Sequence, residues 1–556
     1  MKALLFRTVA MLVLATAARS QTALAVTGQP YFSGSMTLSI VSPANPNKPA
    51  LLLLGLNPLP VDSPLYTSKG PLYVGNLLNV LGIGATNATG TLLLPFTMPP
   101  TNPLVIGIPV VVQGYLNGAL TNPATIPLDE PYALPANITE IKNPAPTQQA
   151  RFGDQVAAGD LNGDGVVDLA VGAWFEKVNG KAQAGKVYVM WGPAFTSFTV
   201  LQAALPKEWA TFGARVLIND TDMDGFPDLL VGAPASGDPP LPEHGNMFVY
   251  SGGPSFGTVP ARQAQSLGIG VEAAGWGRVA AIGDFNDDGA PDIAVGVSNA
   301  TIAALPQAGR LEVFWGPSYS TMVVVDNPTP HALDFFGSSL SVADVTGDGV
   351  DDIVEGSGRA NSATANQVGR IHVYAGPLLS LFAVIENPLS LPLDRFGETV
   401  FSTDLNDDGL PDIVASDVHN RLFFFAAPHF TSYEVHTKPP TAYTNAFGET
   451  AFGYFIQASH LNADRYEDLI VADPFEGTKQ GCSPLSAEGA IFGLLGPYYA
   501  TFNYITSPFP ACGDEFSWGQ IVVDIDHDGA EELILGAPTR DVGVLSNTGS
   551  VFILRP

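Results

Sequence analysis

Phe152-Gly-Asp-Gln-Val-Ala-Ala-Gly-Asp160-Leu-Asn-Gly-Asp-Gly-Val-Val-Asp168-Leu-Ala-Val-Gly-Ala173 decides the fold of this chain, because its pattern returns six more times. An aromatic residue stands eight positions ahead of an acidic nine-residue loop, and an apolar run follows. The loops are Asp160 to Asp168, Asp220 to Asp228, Asp284 to Asp292, Asp344 to Asp352, Asp404 to Asp412, His460 to Asp468 and Asp524 to Glu532. Their starts lie 60, 64, 60, 60, 56 and 64 residues apart. The aromatics keep the same register: Phe152, Phe212, Trp276, Phe336, Phe396, Phe452 and Phe516. So regular a period means one supersecondary unit repeated, each copy burying its apolar face against its neighbours.

Within the first unit, a short alternating strand runs from Phe152-Gly153 to Gly159 and a second strand covers Leu169 to Ala173. A third runs from Gly185 to Pro193 and a fourth from Phe198 to Leu201. Short strands bounded by Gly, Pro and Asp turns, with no helical periodicity, predict an antiparallel four-stranded meander. The last repeat ends at Pro556 after its third strand, so it lacks a fourth. Ala136 to Ile141, just ahead of the first repeat, is placed to supply it and close the array into a ring.

The chain has 556 residues and a formal net charge of −29. Phosphate binding needs clustered Lys and Arg, so nucleic acid is excluded as a natural partner. Of the 53 acidic residues, 22 occupy positions one, three, five and nine of the loops, an arrangement organised for cations.

Calcium takes six to eight hard oxygen ligands, and Asp-x-Asp/Asn-x-Asp-Gly sets carboxylates or amides at alternate positions while Gly permits the sharp turn. The candidate ligands at positions one, three and five are Asp160, Asn162 and Asp164; Asp220, Asp222 and Asp224; Asp284, Asn286 and Asp288; Asp344, Thr346 and Asp348; Asp404, Asn406 and Asp408; Asp524, Asp526 and Asp528. Position seven can add a backbone carbonyl, from Val166, Phe226, Ala290, Val350, Leu410 and Ala530. EF-hands and dockerins share the opening spacing but expect a ligand at position twelve and a following helix. Here position twelve is usually Val, Ala or Leu within a strand pattern, and Glu355 is read as a coincidental exception. Magnesium prefers to keep its waters, so calcium is the expected ion, at about six sites. Loop six departs from the pattern: His460 replaces the first carboxylate and Arg465 the glycine. That loop is expected to be empty, with Arg465 facing Asp464 or Asp468, and Thr346 is expected to weaken loop four.

A Phe-Gly pair, an acidic loop and a Gly-Ala-Pro run, as in Leu229-Leu-Val-Gly-Ala-Pro234, resemble the FG-GAP repeats of integrin alpha subunits, over roughly residues 136 to 556. The resemblance implies a seven-bladed β-propeller, which agrees with four-stranded blades arranged radially so that only short edges are left. It also implies that the ninth residue closes each ion site: Asp168, Asp228, Asp292, Asp352, Asp412 and Glu532. In integrins the face away from these loops meets ligands and partner chains. Here that face would carry the long second-to-third strand loops, with Trp174, Phe175 and Phe475 as candidate contacts for a protein or glycan, or as packing between blades.

Residues 1–20 read as a secretory signal peptide, with a second cleavage point after Ala25, and no later segment is long and apolar enough to span a bilayer. A secreted or cell-surface protein is therefore expected. Two cysteines in an exported chain suggest one disulfide, and blade topology places Cys482 and Cys512 on one face. Residues 26–130 are nearly uncharged and rich in turn signals between apolar runs, which predicts a small β-sandwich joined through a linker at 131–135. The whole is expected to be all-β: a small β-sandwich-like domain, then the propeller over 136–556.

No His-Glu-x-x-His or phosphate loop occurs, the one Gly-x-Ser-x-Gly spacing, Gly253-Pro-Ser-Phe-Gly257, lies between strand patterns with no helix after it and so makes no nucleophile elbow, and the eight histidines are scattered, so no catalytic residue is assigned. The leading functional expectation is an exported calcium-binding adhesion or recognition module. A hydrolase or lyase with a site in the propeller channel and a structural envelope protein are the alternatives.

Overall fold

The computed structural model describes residues 137–555 apart from 237–244, 267–274, 363–364, 440–450, 463–464, 477–487, 498, 500, 509–512 and 543–544, together with strands of the N-terminal region. The signal peptide, the 131–135 linker, Asp464 and both cysteines of the expected disulfide lie outside the described residues. The chain divides into two compact units, residues 1–133 with 498–504, and 134–497 with 505–556.

In the first unit, Ala23–Gly28, Ser35–Val41 and Thr91–Thr97 form one antiparallel sheet. Pro49–Pro58 lies at the centre of a second, between Val74–Ala85 and Val110–Leu116. How these sheets pack lies outside the described residues.

The second unit is a seven-bladed β-propeller of four-stranded antiparallel sheets. Blade one is Gln155–Gly159, Asp168–Ala173, Lys186–Trp191 and Ser197–Leu201, paired in chain order from the inner strand outward. Blades two to six repeat that order. Blade seven takes its outer strand from the other end of the repeat array: Asn137–Lys142 pairs with Ser550–Arg555, Ile138 opposite Leu554 and Ile141 opposite Val551. Arg540 bonds Glu140 at 2.9 Å across the same junction, so opening the ring would break a backbone ladder and an ion pair together.

Burial explains the sequence pattern blade by blade. Second strands such as Asp168–Ala173 are buried at every residue, because they carry strands on both edges and blades on both faces. Outer strands such as Met322–Asp326 are largely exposed. The aromatic of each repeat is 0–2% exposed and fills the wedge between blades. The glycines of the two motifs meet at the seams. A Cβ on Gly172 would stand 2.4 Å from the carbonyl oxygen of Gly213, and one on Gly536 only 1.7 Å from that of Gly153 across the ring closure. Only glycine lets these backbones approach so closely.

Candidate metal centres

Each acidic loop joins the inner strand to the second strand of its blade, so all of them lie on one face. In loop one the position-one carboxylate is wrapped by the turn it begins. Asp160 Oδ1 accepts from the amides of Gly163 (2.8 Å) and Asp164 (3.1 Å), and Oδ2 from that of Gly165 (2.8 Å). Asn162 Oδ1 accepts from Asp164, and Asp164 Oδ1 from Val166. Left-handed backbone at Gly163 (φ 74°) and Gly165 (φ 83°) makes that wrap possible. Loops two, three, four, five and seven repeat it: Asp220, Asp284, Asp344, Asp404 and Asp524 each accept the amide of the position-six glycine. The position-seven residues Phe226, Ala290, Val350, Leu410 and Ala530 donate their amides to the position-five carboxylates.

The ninth residue is buried beneath the loop and ties it to the third strand. Asp168 Oδ2 accepts from Leu161 and Oδ1 from Gly192. Asp292, Asp352 and Asp412 make the corresponding pairs of bonds. Burial, with smaller contributions from neighbouring loop carboxylates, pushes Asp168, Asp292, Asp352 and Asp412 up to about 6 against the pull of these amides. Burial likewise raises Glu532 in loop seven. Asp524, Asp526 and Glu532 bring one oxygen each within 4.8 Å of one another, as do Asp220, Asp222 and Asp224. Buried, crowded carboxylates with lone pairs left over suit a hard divalent cation. In loop four the buried Thr346 hydroxyl lies beside Asp352 and adds one more oxygen to the site.

Loop two breaks the series. Arg262, the first residue of blade two's outer strand, sends Nη2 to Asp228 Oδ2 (2.7 Å), Asp222 Oδ2 (3.0 Å) and Thr221 Oγ1 (2.9 Å). A guanidinium thus holds two of the four carboxylates that the sequence assigns to an ion. Loop six departs differently. Arg465 pairs with Asp407 of loop five at 2.9 Å and lies over the Tyr466 ring, instead of facing Asp468. His460 Nδ1 lies 3.2 Å from the carbonyl oxygen of Tyr466, so it closes the turn in place of a carboxylate. Glu355 belongs to neither loop nor ion: it accepts from the Gly337 amide and Ser357 and lies 2.8 Å from His372 Nδ1, inside blade four.

On the opposite face, the residues that directly follow the aromatic-glycine pairs converge on the axis. Asp154 of blade one, Arg278 of blade three and Tyr454 of blade six share one electrostatic neighbourhood, although blades three and six stand three apart around the ring. Arg151 pairs with Asp154 (3.3 Å) and Glu515 (2.8 Å) and lies over Trp518. Arg278 lies over Trp174, and Tyr454 and Phe475 each meet Trp518 edge-on or tilted. Trp174, Phe175 and Phe475 therefore belong to an axial cluster more than to the seams between blades. Burial raises Asp154, Glu398 and Glu515 there, against the pull of nearby arginines. Sequence reasoning named Trp174, Phe175 and Phe475 on this face but missed Asp154, Arg278, Glu398, Tyr454 and Trp518, each of which stands two positions after the aromatic of its repeat.

The FG-GAP repeat model matches residues 152–190 and 336–374. Phosphatidylinositol-glycan-specific phospholipase D of Bos taurus is 30% identical over 207 residues, which is 33% of this chain and 24% of that protein. Integrin alpha-7 of Rattus norvegicus is 34% identical over 162 residues, 28% of this chain and 13% of that protein. Integrin alpha-4 of Xenopus laevis is 32% identical over 193 residues, 33% of this chain and 18% of that protein. The matched part is thus less than a third of each relative's length. Among the described residues no helix is long and apolar enough to cross a membrane.

Proposed function

We propose that this chain of FG-GAP repeats is an exported recognition module, held rigid by calcium on one face and binding a protein or surface glycan on the other. The observation that carries the reading is the axial cluster of Trp174, Tyr454, Phe475 and Trp518 with Arg151 and Arg278. Aromatic faces and guanidinium groups gathered from separate blades on a rigid scaffold are what binding hot spots use. Asp160, Asn162, Asp164 and Asp168, with their counterparts in the other complete loops, would hold the ions. Calcium would supply no chemistry there beyond neutralising the carboxylates and fixing the turns.

Integrin relatives and the leader-like N-terminus support export and a place outside the cell. Protein and glycan arrays probed with the full chain, with Trp518→Ala and with Arg278→Ala, in calcium and in chelator, test the reading. Binding that both substitutions leave unchanged overturns it.

A hydrolase or lyase reading draws on one observation, the raised carboxyl groups of Asp154, Glu398 and Glu515 around the axis. Turnover of polysaccharides or phosphodiesters that is lost in Glu398→Gln would favour it over binding alone.

A further inference from the structure

We infer that loop two is closed by the guanidinium of Arg262 and takes no ion, so that the chain binds five ions where its loop pattern suggests six. The inference rests on the reading that the complete loops hold divalent cations. In loops one, three and five, Oδ2 of the ninth residue accepts one amide and keeps a lone pair for an ion. In loop two, Asp228 Oδ2 accepts three donors: the Thr221 amide, the Thr221 hydroxyl and Arg262 Nη2. Its Oδ1 accepts the Gly252 amide. No lone pair on Oδ2 remains to be offered to a metal.

The arginine is fixed from several sides. Its Nη1 donates to the carbonyl oxygens of Pro317 (2.9 Å) and Thr221 (3.3 Å), and its guanidinium carbon lies 5.8 Å from the centre of the Tyr319 ring. Pro317 and Tyr319 belong to blade three, so the neighbouring blade helps aim it. A planar fork held by two carbonyls and a ring delivers its charge without the ordering cost of a mobile side chain. An ion placed among Asp220, Asp222 and Asp224 would stand beside this cation and lack its ninth ligand.

Among the outer strands whose register is described, the residue at this position is particular to blade two. Arg262 lies opposite Val249 of the third strand. The same register position holds Thr199 in blade one, Val323 in blade three, Ala383 in blade four, Glu434 in blade five and Thr139 in blade seven. None of these side chains can stand in for a cation. Loop two therefore carries a permanent counter-charge, and its turn should stay folded when free calcium falls.

Counting calcium bound per full chain by equilibrium dialysis and elemental analysis tests this. The expected result is five ions for the wild type, five for Asp224→Asn and four for Asp288→Asn, with a sixth gained in Arg262→Met. Six ions in the wild type, or the loss of one in Asp224→Asn, overturns the inference. Asp224→Asn leaves Arg262 and Asp228 in place, so the test stands even where Arg262→Met fails to fold. Failure of the broader reading looks different: a wild type that binds no calcium overturns both, the count of five included.

Discussion

Loops one and two share a backbone wrap and an aspartate at positions one, five and nine, yet what faces the buried ninth carboxylate differs. Asp168 has two amides and spare lone pairs, while Asp228 has two amides, a hydroxyl and a guanidinium. Burying a carboxylate is costly until a counter-charge arrives. On the proposed reading, loop one would take that charge from solution, and its stability would then depend on ion concentration. Loop two draws it from its own outer strand. One motif thus yields two kinds of turn, and the choice lies in a residue 34 positions further along the chain.

Removing calcium should give the largest effect and would break the comparison if it failed. Ligand that binds only the folded state stabilises it by roughly 2.7 kcal/mol per site at a hundredfold excess over Kd. Chelation is therefore expected to lower the melting temperature by about 10 °C or more, read by calorimetry; an unchanged melt would mean that the loops are held without ions. Gly536→Ala supplies a smaller, calcium-independent reference. Its Cβ would meet the Gly153 carbonyl oxygen at 1.7 Å at the ring closure, and overpacking of that kind costs roughly 1–3 kcal/mol or more. The loss should be the same with and without chelator.

Next in size, and the sharpest test of the contrast, are paired substitutions at the ninth position. Asp228→Asn leaves Arg262 short of a buried partner and should cost about 3–5 kcal/mol, equally in calcium and in chelator. Asp168→Asn should destabilise in calcium and lose most of that effect once calcium is removed. Denaturant melts of both variants in both conditions check this. Equal calcium dependence for the two would erase the distinction.

The smallest effect is on the opposite face, where pH replaces calcium as the variable. Burial raises the Asp154 carboxyl above its ordinary value. The folded state then holds its proton more tightly than the unfolded chain, so stability from this group is full at low pH and is lost as pH rises through the folded value. With calcium saturating, the melting temperature should fall over that window, and Asp154→Asn should flatten the slope. A slope unchanged in the variant would assign the pH dependence to the other carboxyl groups that burial raises, Glu398, Glu515, Asp417 and Asp222.

Much of the ring was legible because its signals are local. The aromatic-glycine pair, the loop and the apolar run recur within 22 residues of one another, from Phe152 to Ala173 in the first copy. Strand pairing then follows, since consecutive strands are joined by short turns. The closing strand was legible too, because an outer strand missing at Pro556 matched an extra one at Asn137–Lys142. Arg465 was readable as an intruder in loop six, but its partner was not. It reaches Asp407 in the neighbouring loop, a choice set by how the two blades stand together. The axial cluster was hidden for the same reason, since its members come from blades one, three, five, six and seven.

By itself, then, the sequence determined the repeat, the number of blades and the six loops able to gather oxygen ligands, since each of these rests on spacings within a few turns of chain. Only the tertiary structure decided which loop supplies its own cation and which side chains meet at the axis. Both depend on charges and rings carried by different strands and blades, and their distance in space bears no simple relation to their distance along the chain.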